Sequence, residues 1–380
     1  MKIDQGVYST SNGWKFPLTQ AVENPDFIMV FAASELFKDL VWIDELKIRY
    51  PNGRFIGCST SGEIAGSTVK DQTAVATAVK FSTASVLFTQ QDLTTTEDSY
   101  ACGKRLIAQL PPLELKHVLV FSDGLHVNGS ELVKGMRDSL PQDVTVTGGL
   151  AGDGSNFKQT YVISQDGTAQ DRCICAIGLY GNSIEVGYGS YGGWDPFGVE
   201  RRVTQSKANV LYEIDNQPAL ELYKSFLGDN AAQLPASGLL FPLSLRTRED
   251  EQPVVRTILA VNESNQSITF AGDLPEGSYV RLMKANTDRL IQGAVKAAEI
   301  SSNGIDKKAA ALAIMVSCVG RKLVLKQMVE EEVEGANDLL GKQCITTGFY
   351  SYGEISPFSD NAACELHNQT MTITTLFEKN

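Results

Sequence analysis

The chain has 380 residues, 43% hydrophobic and 21% charged, with 33 basic against 45 acidic side chains and a net charge of −12. That length suits two domains, or one domain built from repeated halves, and the acidic balance with scattered Lys and Arg argues against a nucleic-acid footprint. No apolar run approaches the roughly 20 residues of a bilayer span, and MKIDQGVYSTSNGWKF lacks the apolar stretch of a secretory signal, so a cytoplasmic protein is expected.

The first element is a strand at FIMVFAAS (27–34), followed by a helix around 35–49 and a second strand, RFIGCSTSGEI (54–64), that runs into a glycine-rich bend. TAVATAVKFSTASVLFTQ (73–90) alternates with period two and reads as a hairpin. The layout then repeats: strand HVLVFSDG (117–124), a helix at 130–140 with Ser130 as N-cap, and VTVTGGLAGDG (144–154). A second hairpin is expected at 172–194, turning at Gly181-Asn182, and a helix at about 206–227. Residues 252–285 read as a strand meander with turns at 262–265 and 275–277, followed by a helix at 287–299.

The third copy comprises ALAIMVSCVG (311–320), a helix around 322–340 and CITTGFYSYGEI (344–355). Its acidic run EEEVEGAND (330–338) reads as solvated surface. Each unit has the size of a βαβ crossover. The fold class is therefore α/β (mixed α+β): repeated strand–helix–strand units forming helix-covered mixed sheets in two modules, 1–204 and 205–380. GYGSYGGW (187–194) echoes GFYSYGEI (348–355), and GCSTSGEI (57–64) shares its glycine spacing, which points to internal duplication.

Seven scattered cysteines, at 58, 102, 173, 175, 318, 344 and 364, form no Cys-x-x-Cys pair and suit a reducing compartment. Cys58 is a thiolate ligand or nucleophile on one reading and a buried inert thiol on the other. The stretch around Ser61 is not a Gly-x-Ser-x-Gly elbow, and no Walker loop or His-Glu-x-x-His occurs, so an enzyme is not expected. Ser61, Gly62, Glu63, Ser351, Tyr352, Gly353 and Glu354 either line a ligand cavity, where glycines let backbone N–H groups approach an anion, or form two structural bends. Asp153 binds a ligand or caps a turn. Arg256, in VVRTIL, is a candidate carboxylate fork, and Arg281 is a weaker one.

Taken in order, GCSTSGEIAG, VFSDGLHVNGSELVKG, VTGGLAGDG, VVRTILAV…ITFAGDLPEGSYVRLM, GFYSYGEISP and CELHNQTMTITTL resemble the FIST family of sensory proteins, from about residue 25 to 376. The resemblance extends to a bacterial branch of stand-alone FIST proteins of this length. It implies haem as cofactor, nitric oxide as signal and a sensor histidine kinase as partner, in biofilm-type signalling. It leaves self-association open. The alternatives are a sensor of a small metabolite such as an amino acid, using the glycine-rich bends and Arg256, and a thiol-dependent enzyme at Cys58. For the iron, His367 and His126 are the candidate ligands, both in polar loops beside strand ends, with His367 slightly preferred. His117, at the start of an apolar strand, ranks last.

Overall fold

The computed structural model describes residues 1–17, 22–249, 253–303, 311–358 and 363–379. Each of the three strand–helix–strand segments forms a parallel pair. Phe27–Ala33 lies beside Phe55–Thr60, Leu115–Ser122 beside Thr145–Leu150, and Leu312–Cys318 beside Ile345–Ser351. All six are almost continuously buried, as parallel strands covered on both faces should be. A later strand closes each first strand antiparallel: Thr73–Lys80, Cys173–Tyr180 and Met371–Glu378 respectively.

The three sheets are tied by a cyclic exchange. The strand after each glycine-rich bend leaves its own sheet and pairs antiparallel in the next. Glu63–Ala65 joins Ile345–Ser351, Gly353–Pro357 joins Thr145–Leu150, and Val162–Ile163 joins Phe55–Thr60. The repeat is anchored by Gly57, Gly148 and Gly348, which pair with Val30, Val120 and Met315. A Cβ at any of the three would overlap the carbonyl oxygen of that partner, so the close backbone approach requires glycine.

The inner faces of the three sheets share one core. Phe31, Phe121 and Phe349 meet there, with ring centroids 5.3, 4.6 and 5.9 Å apart for the Phe31–Phe121, Phe31–Phe349 and Phe121–Phe349 pairs. Burial of each such ring stabilises the fold by about 1.5–3 kcal/mol. The outer faces are covered by helices. Trp42, Ile43 and Leu46 of Val41–Arg49 pack on the first sheet. Leu132, Val133 and Met136 of Gly129–Arg137 pack on the second. Ala294, Ala297, Val333 and Ala336, from Thr287–Ser301 and Val329–Leu340, pack on the third.

A fourth, eight-stranded antiparallel sheet built from residues 195–284 holds the helix Ala219–Leu227 against its own core. Residues 204 and 205 fall inside its long strand Asp195–Lys207. Two of the three exchanging sheets draw strands from both sides of that point. No helix among the described residues is long and apolar enough to cross a membrane.

Five expectations are corrected. Residues 206–227 are not one helix: the strands Asp195–Lys207 and Val210–Ile214 precede a helix that starts at Ala219. The two period-two stretches are not paired hairpins. Thr73–Lys80 and Ser85–Asp92 lie in different sheets, as do Cys173–Tyr180 and Ile184–Tyr191, so the short turns between them cross from one sheet to the next. Asn128, rather than Ser130, caps the Gly129–Arg137 helix, accepting from Glu131 N. Within the acidic run, Glu332 is fully buried. It accepts from Arg321 Nε at 2.6 Å and from Tyr350 OH at 2.9 Å. GYGSYGGW belongs to an edge strand beside Met371–Glu378, and the third equivalent bend is GGLAGDG.

Candidate functional site

The carboxyl ends of the three parallel pairs converge, so their bends meet. Three backbone hydrogen bonds close a ring there. Ser61 N donates to Tyr350 O at 2.8 Å, Tyr352 N to Leu150 O at 3.2 Å, and Gly152 N to Ser59 O at 2.9 Å. Two of the bends then use the same side-chain lock. Thr60 Oγ1 donates to Glu63 Oε1, while Glu63 Oε2 accepts from Thr73 N and Oγ1 at 3.0 and 2.7 Å. Ser351 Oγ donates to Glu354 Oε1 at 2.6 Å, and Glu354 Oε2 accepts from Thr370 N and Oγ1 at 3.1 and 2.9 Å. Burial pushes Glu63 up to about 7 and Glu354 up to about 8, against the hydrogen bonds that favour the carboxylate.

The third bend has Ala151 and Gly154 where the others have a hydroxyl and a glutamate, so it lacks the lock. Asp153 instead accepts from the N–H groups of Phe157, Lys158 and Gln159 at 2.8, 2.8 and 2.9 Å, and from Tyr352 OH. Tyr352 also stacks on Phe157, with centroids 4.5 Å apart. The structure thus brings Ser61, Gly62, Ser351, Tyr352, Gly353 and Glu354 together, but as buried parts of a seal. Lys322 Nζ caps Ser61 O at 2.8 Å, and a Cβ on Gly62 would overlap that ammonium. Cys58 lies in the central core, where burial pushes its thiol well up and makes it a poor nucleophile.

Beside the unlocked bend lies the loop that follows Leu115–Ser122. Asp123, fully buried, accepts from Leu125 N and His126 N at 2.8 and 2.6 Å, and from Thr160 Oγ1 and Arg172 N at 3.2 and 3.0 Å. Both carboxylate oxygens also lie 3.2 Å from His126 Nδ1. A carboxylate only accepts, so Nδ1 carries the proton in the neutral ring and Nε2 holds the lone pair. The His126 side chain is 31% exposed, and among the described residues nothing bonds its Nε2.

This loop walls a small cleft against the added sheet. Gly124, Val127 and Leu150 face Leu259, Phe270 and Ala271 across about 40 Å3. The contact is pinned where Asn128 Nδ2 donates to Asp273 Oδ1 at 2.9 Å. A larger cleft of about 210 Å3 lies on the other side of that pin and contains Arg256.

The chemistry of haem ligation separates the candidates. His367 is buried, with Nε2 donating to Ser356 O at 2.9 Å, and burial pushes it down to about 4. His117 is held at both nitrogens, by Thr145 Oγ1 and Thr147 Oγ1 at 2.8 Å each, and burial pushes it down to about 3. Cys364 Sγ bonds Val146 O at 3.3 Å, and burial pushes that thiol up. His126 fits: its ring is partly exposed, fixed in one tautomer by a carboxylate and carries a free lone pair, the usual arrangement of a metal-ligating imidazole. Asp123 had a readable sign, an acid three residues before a loop histidine. The pairing of Glu63 with Thr73, Glu354 with Thr370 and Arg321 with Glu332 had none.

The chain matches the FIST N domain over residues 26–217 and the FIST C domain over residues 219–357. An uncharacterized protein of Methanocaldococcus jannaschii is 24% identical over 336 residues, covering 80% of this chain and 62% of that protein, so the chain spans less than two thirds of that relative. Among solved structures, a crystal structure of cyanuric acid hydrolase from A. caulinodans aligns over 93% of this chain and 90% of its own. Its TM-score is 0.34 and its identity 7%, values too low to carry an argument. With both domains matched in order along most of its length, the chain belongs to the FIST family, whose domains imply a sensory role in signal transduction.

Proposed function

We propose that this FIST protein is a haem-based nitric oxide sensor that regulates a partner histidine kinase, with His126 as the iron ligand. The observation that carries the reading is the His126 ring, held by Asp123 through Nδ1 and free at Nε2. The motifs from GCSTSGEIAG to CELHNQTMTITTL support the same branch of the family. Haem, when bound, supplies an iron at which a diatomic gas can sit.

The protein's own part is to orient the ring and couple its surroundings to a surface. Asp123 fixes the ring through two backbone N–H groups of the same loop, so a pull on His126 is transmitted to residues 123–126. A cleft of about 40 Å3 is far below the ~300–1,000 Å3 of ordinary ligand sites. His126 is not among the residues that line that cleft, so loading a flat macrocycle at its free nitrogen means moving the loop itself, which the Asn128–Asp273 bond ties to the added sheet. That motion would move the added sheet relative to the three-sheet body and offer a kinase two different faces. By linkage, the signal is as large as the difference in gas affinity between those two arrangements.

The reading is tested by titrating the purified protein with haem and then with nitric oxide, in the presence of its kinase. The expected result is one site per chain with a Soret band shifted from free haem, a further shift with the gas, and a change in kinase autophosphorylation. A spectrum that stays that of free haem at protein concentrations well above micromolar rejects it.

A further inference from the structure

Two arginines are buried among the described residues, and they are treated differently. Arg321, fully buried, holds Glu332 at 2.6 Å. Arg256 is 7% exposed, yet among the described residues its hydrogen bonds all end on backbone carbonyls: Nε on Asp273 at 3.2 Å, and Nη1 on Val255 and Leu366 at 3.3 and 3.1 Å. Nη2 has no partner among them. Glu365 and Asp273 act on the guanidinium only through space, and burial works against its charge. A buried charge without a bonded counter-charge is costly. Nη2 is not sealed in: it is not one of the buried unpartnered atoms, and Arg256 lines an open cleft.

The surroundings are built for that. Arg256 lines the 210 Å3 cleft between the Gly129–Arg137 helix and the edge strand Val254–Arg256. Its guanidinium packs close to Gly272, where a Cβ would come within 2.9 Å of Nε and 3.1 Å of Ser130 Oγ. The group is therefore fixed in place before any ligand arrives. Glu131, Asp273 and Glu365 share the lining with Lys134, Arg137 and Arg246. With Arg256 that makes four basic side chains against three acidic ones, an excess of one positive charge that a single carboxylate neutralises and a doubly charged phosphate overshoots. The volume admits only a few heavy atoms beyond the acid group.

We propose that this cleft binds a small monocarboxylate, whose carboxylate pairs with Arg256 Nη2 and lies within reach of the Ser130 hydroxyl. The site stands apart from the haem reading: it needs neither iron nor His126. Occupying it would clamp the helix to the added sheet, on the far side of the same Asn128–Asp273 contact.

The test is ligand-observed NMR and calorimetry on the full chain with acetate and propanoate as probes and inorganic phosphate as the contrast. Wild type should bind the carboxylates at least tenfold more tightly than phosphate. Arg256→Lys should weaken carboxylate binding by at least tenfold. Val254→Trp, which fills the cleft and leaves Arg256 in place, should abolish it while preserving the circular dichroism spectrum. The site is refuted if no carboxylate binds, if both variants bind like wild type, or if phosphate binds as tightly as propanoate.

Discussion

The bends at Glu63 and Glu354 are near copies, each with a hydroxyl three residues before a buried glutamate that reaches a threonine at, or one residue before, the start of the closing antiparallel strand. The bend at Asp153 occupies the third equivalent place and does something else. Its glutamate position is Gly154, its aspartate gathers a loop, and the partly exposed His126 stands beside it. Three copies of one backbone thus give two sealed corners and one equipped corner. The seal frees the third position from having to hold the sheets together.

That contrast can be broken most violently at its glycines. Gly57→Ala places a methyl group on the Val30 carbonyl oxygen, which belongs to a paired strand and cannot move alone. A loss of about 4 kcal/mol or more is expected, read as failure to fold or as an early denaturant midpoint. A loss under about 1 kcal/mol would show that the anchoring glycines are not what sets the repeat. Next comes Arg321→Met, which leaves Glu332 buried without its partner. A cost of about 3–5 kcal/mol is expected in urea unfolding, largely recovered when Glu332→Leu is added.

The sealed corners also predict a pH dependence. Glu354 is raised from an ordinary 4.5 to about 8 and Glu63 to about 7. Over that interval the folded state binds more protons than the unfolded state, so stability is full below pH 4.5 and lost as pH rises toward the raised values. The buried histidines act in the opposite sense: His117 and His367, lowered from 6.5 to about 3 and about 4, cost stability as pH falls below 6.5. Between pH 6.5 and about 7 both glutamates act without the histidines, and from there to about 8 Glu354 acts without Glu63. The unfolding free energy should fall across that window, by on the order of 1 kcal/mol per pH unit for each glutamate acting, and Glu354→Gln should flatten the slope. A wild-type slope of zero there would mean the seals carry no proton linkage. The smallest effect belongs to the equipped corner, where Gly154 has φ +73 and open space around it. Gly154→Ala should cost only about 1 kcal/mol, from the left-handed backbone alone.

Much of the frame was legible in the sequence because it is local. FIMVFAAS, HVLVFSDG and ALAIMVSCVG read as buried strands, and each met its parallel partner across one crossover. The exchange of strands was not legible. Period-two stretches such as 73–90 report that a strand is half of something, but not that its neighbour in sequence joins another sheet. Residues 206–227 misled because Val210–Ile214 is short and leads into a true helix at Ala219. Glu332 looked like its exposed neighbours in an acidic run, and only Arg321, eleven residues away, makes it a core residue. At the site, the preference for His367 over His126 rested on nearness to GFYSYGEI. Nothing in sequence told that Ser356 O would take the His367 ring while Asp123 would hold the other side of His126.

The central claim is that sensing is done at the unlocked corner, through His126. The most direct measurement is the Soret spectrum and haem affinity of His126→Ala beside His367→Ala, each checked for an unchanged far-ultraviolet dichroism. The account predicts that His126→Ala loses at least tenfold in affinity and shifts the Soret band, while His367→Ala keeps the wild-type values. A His126→Ala protein with the wild-type spectrum and affinity would contradict it.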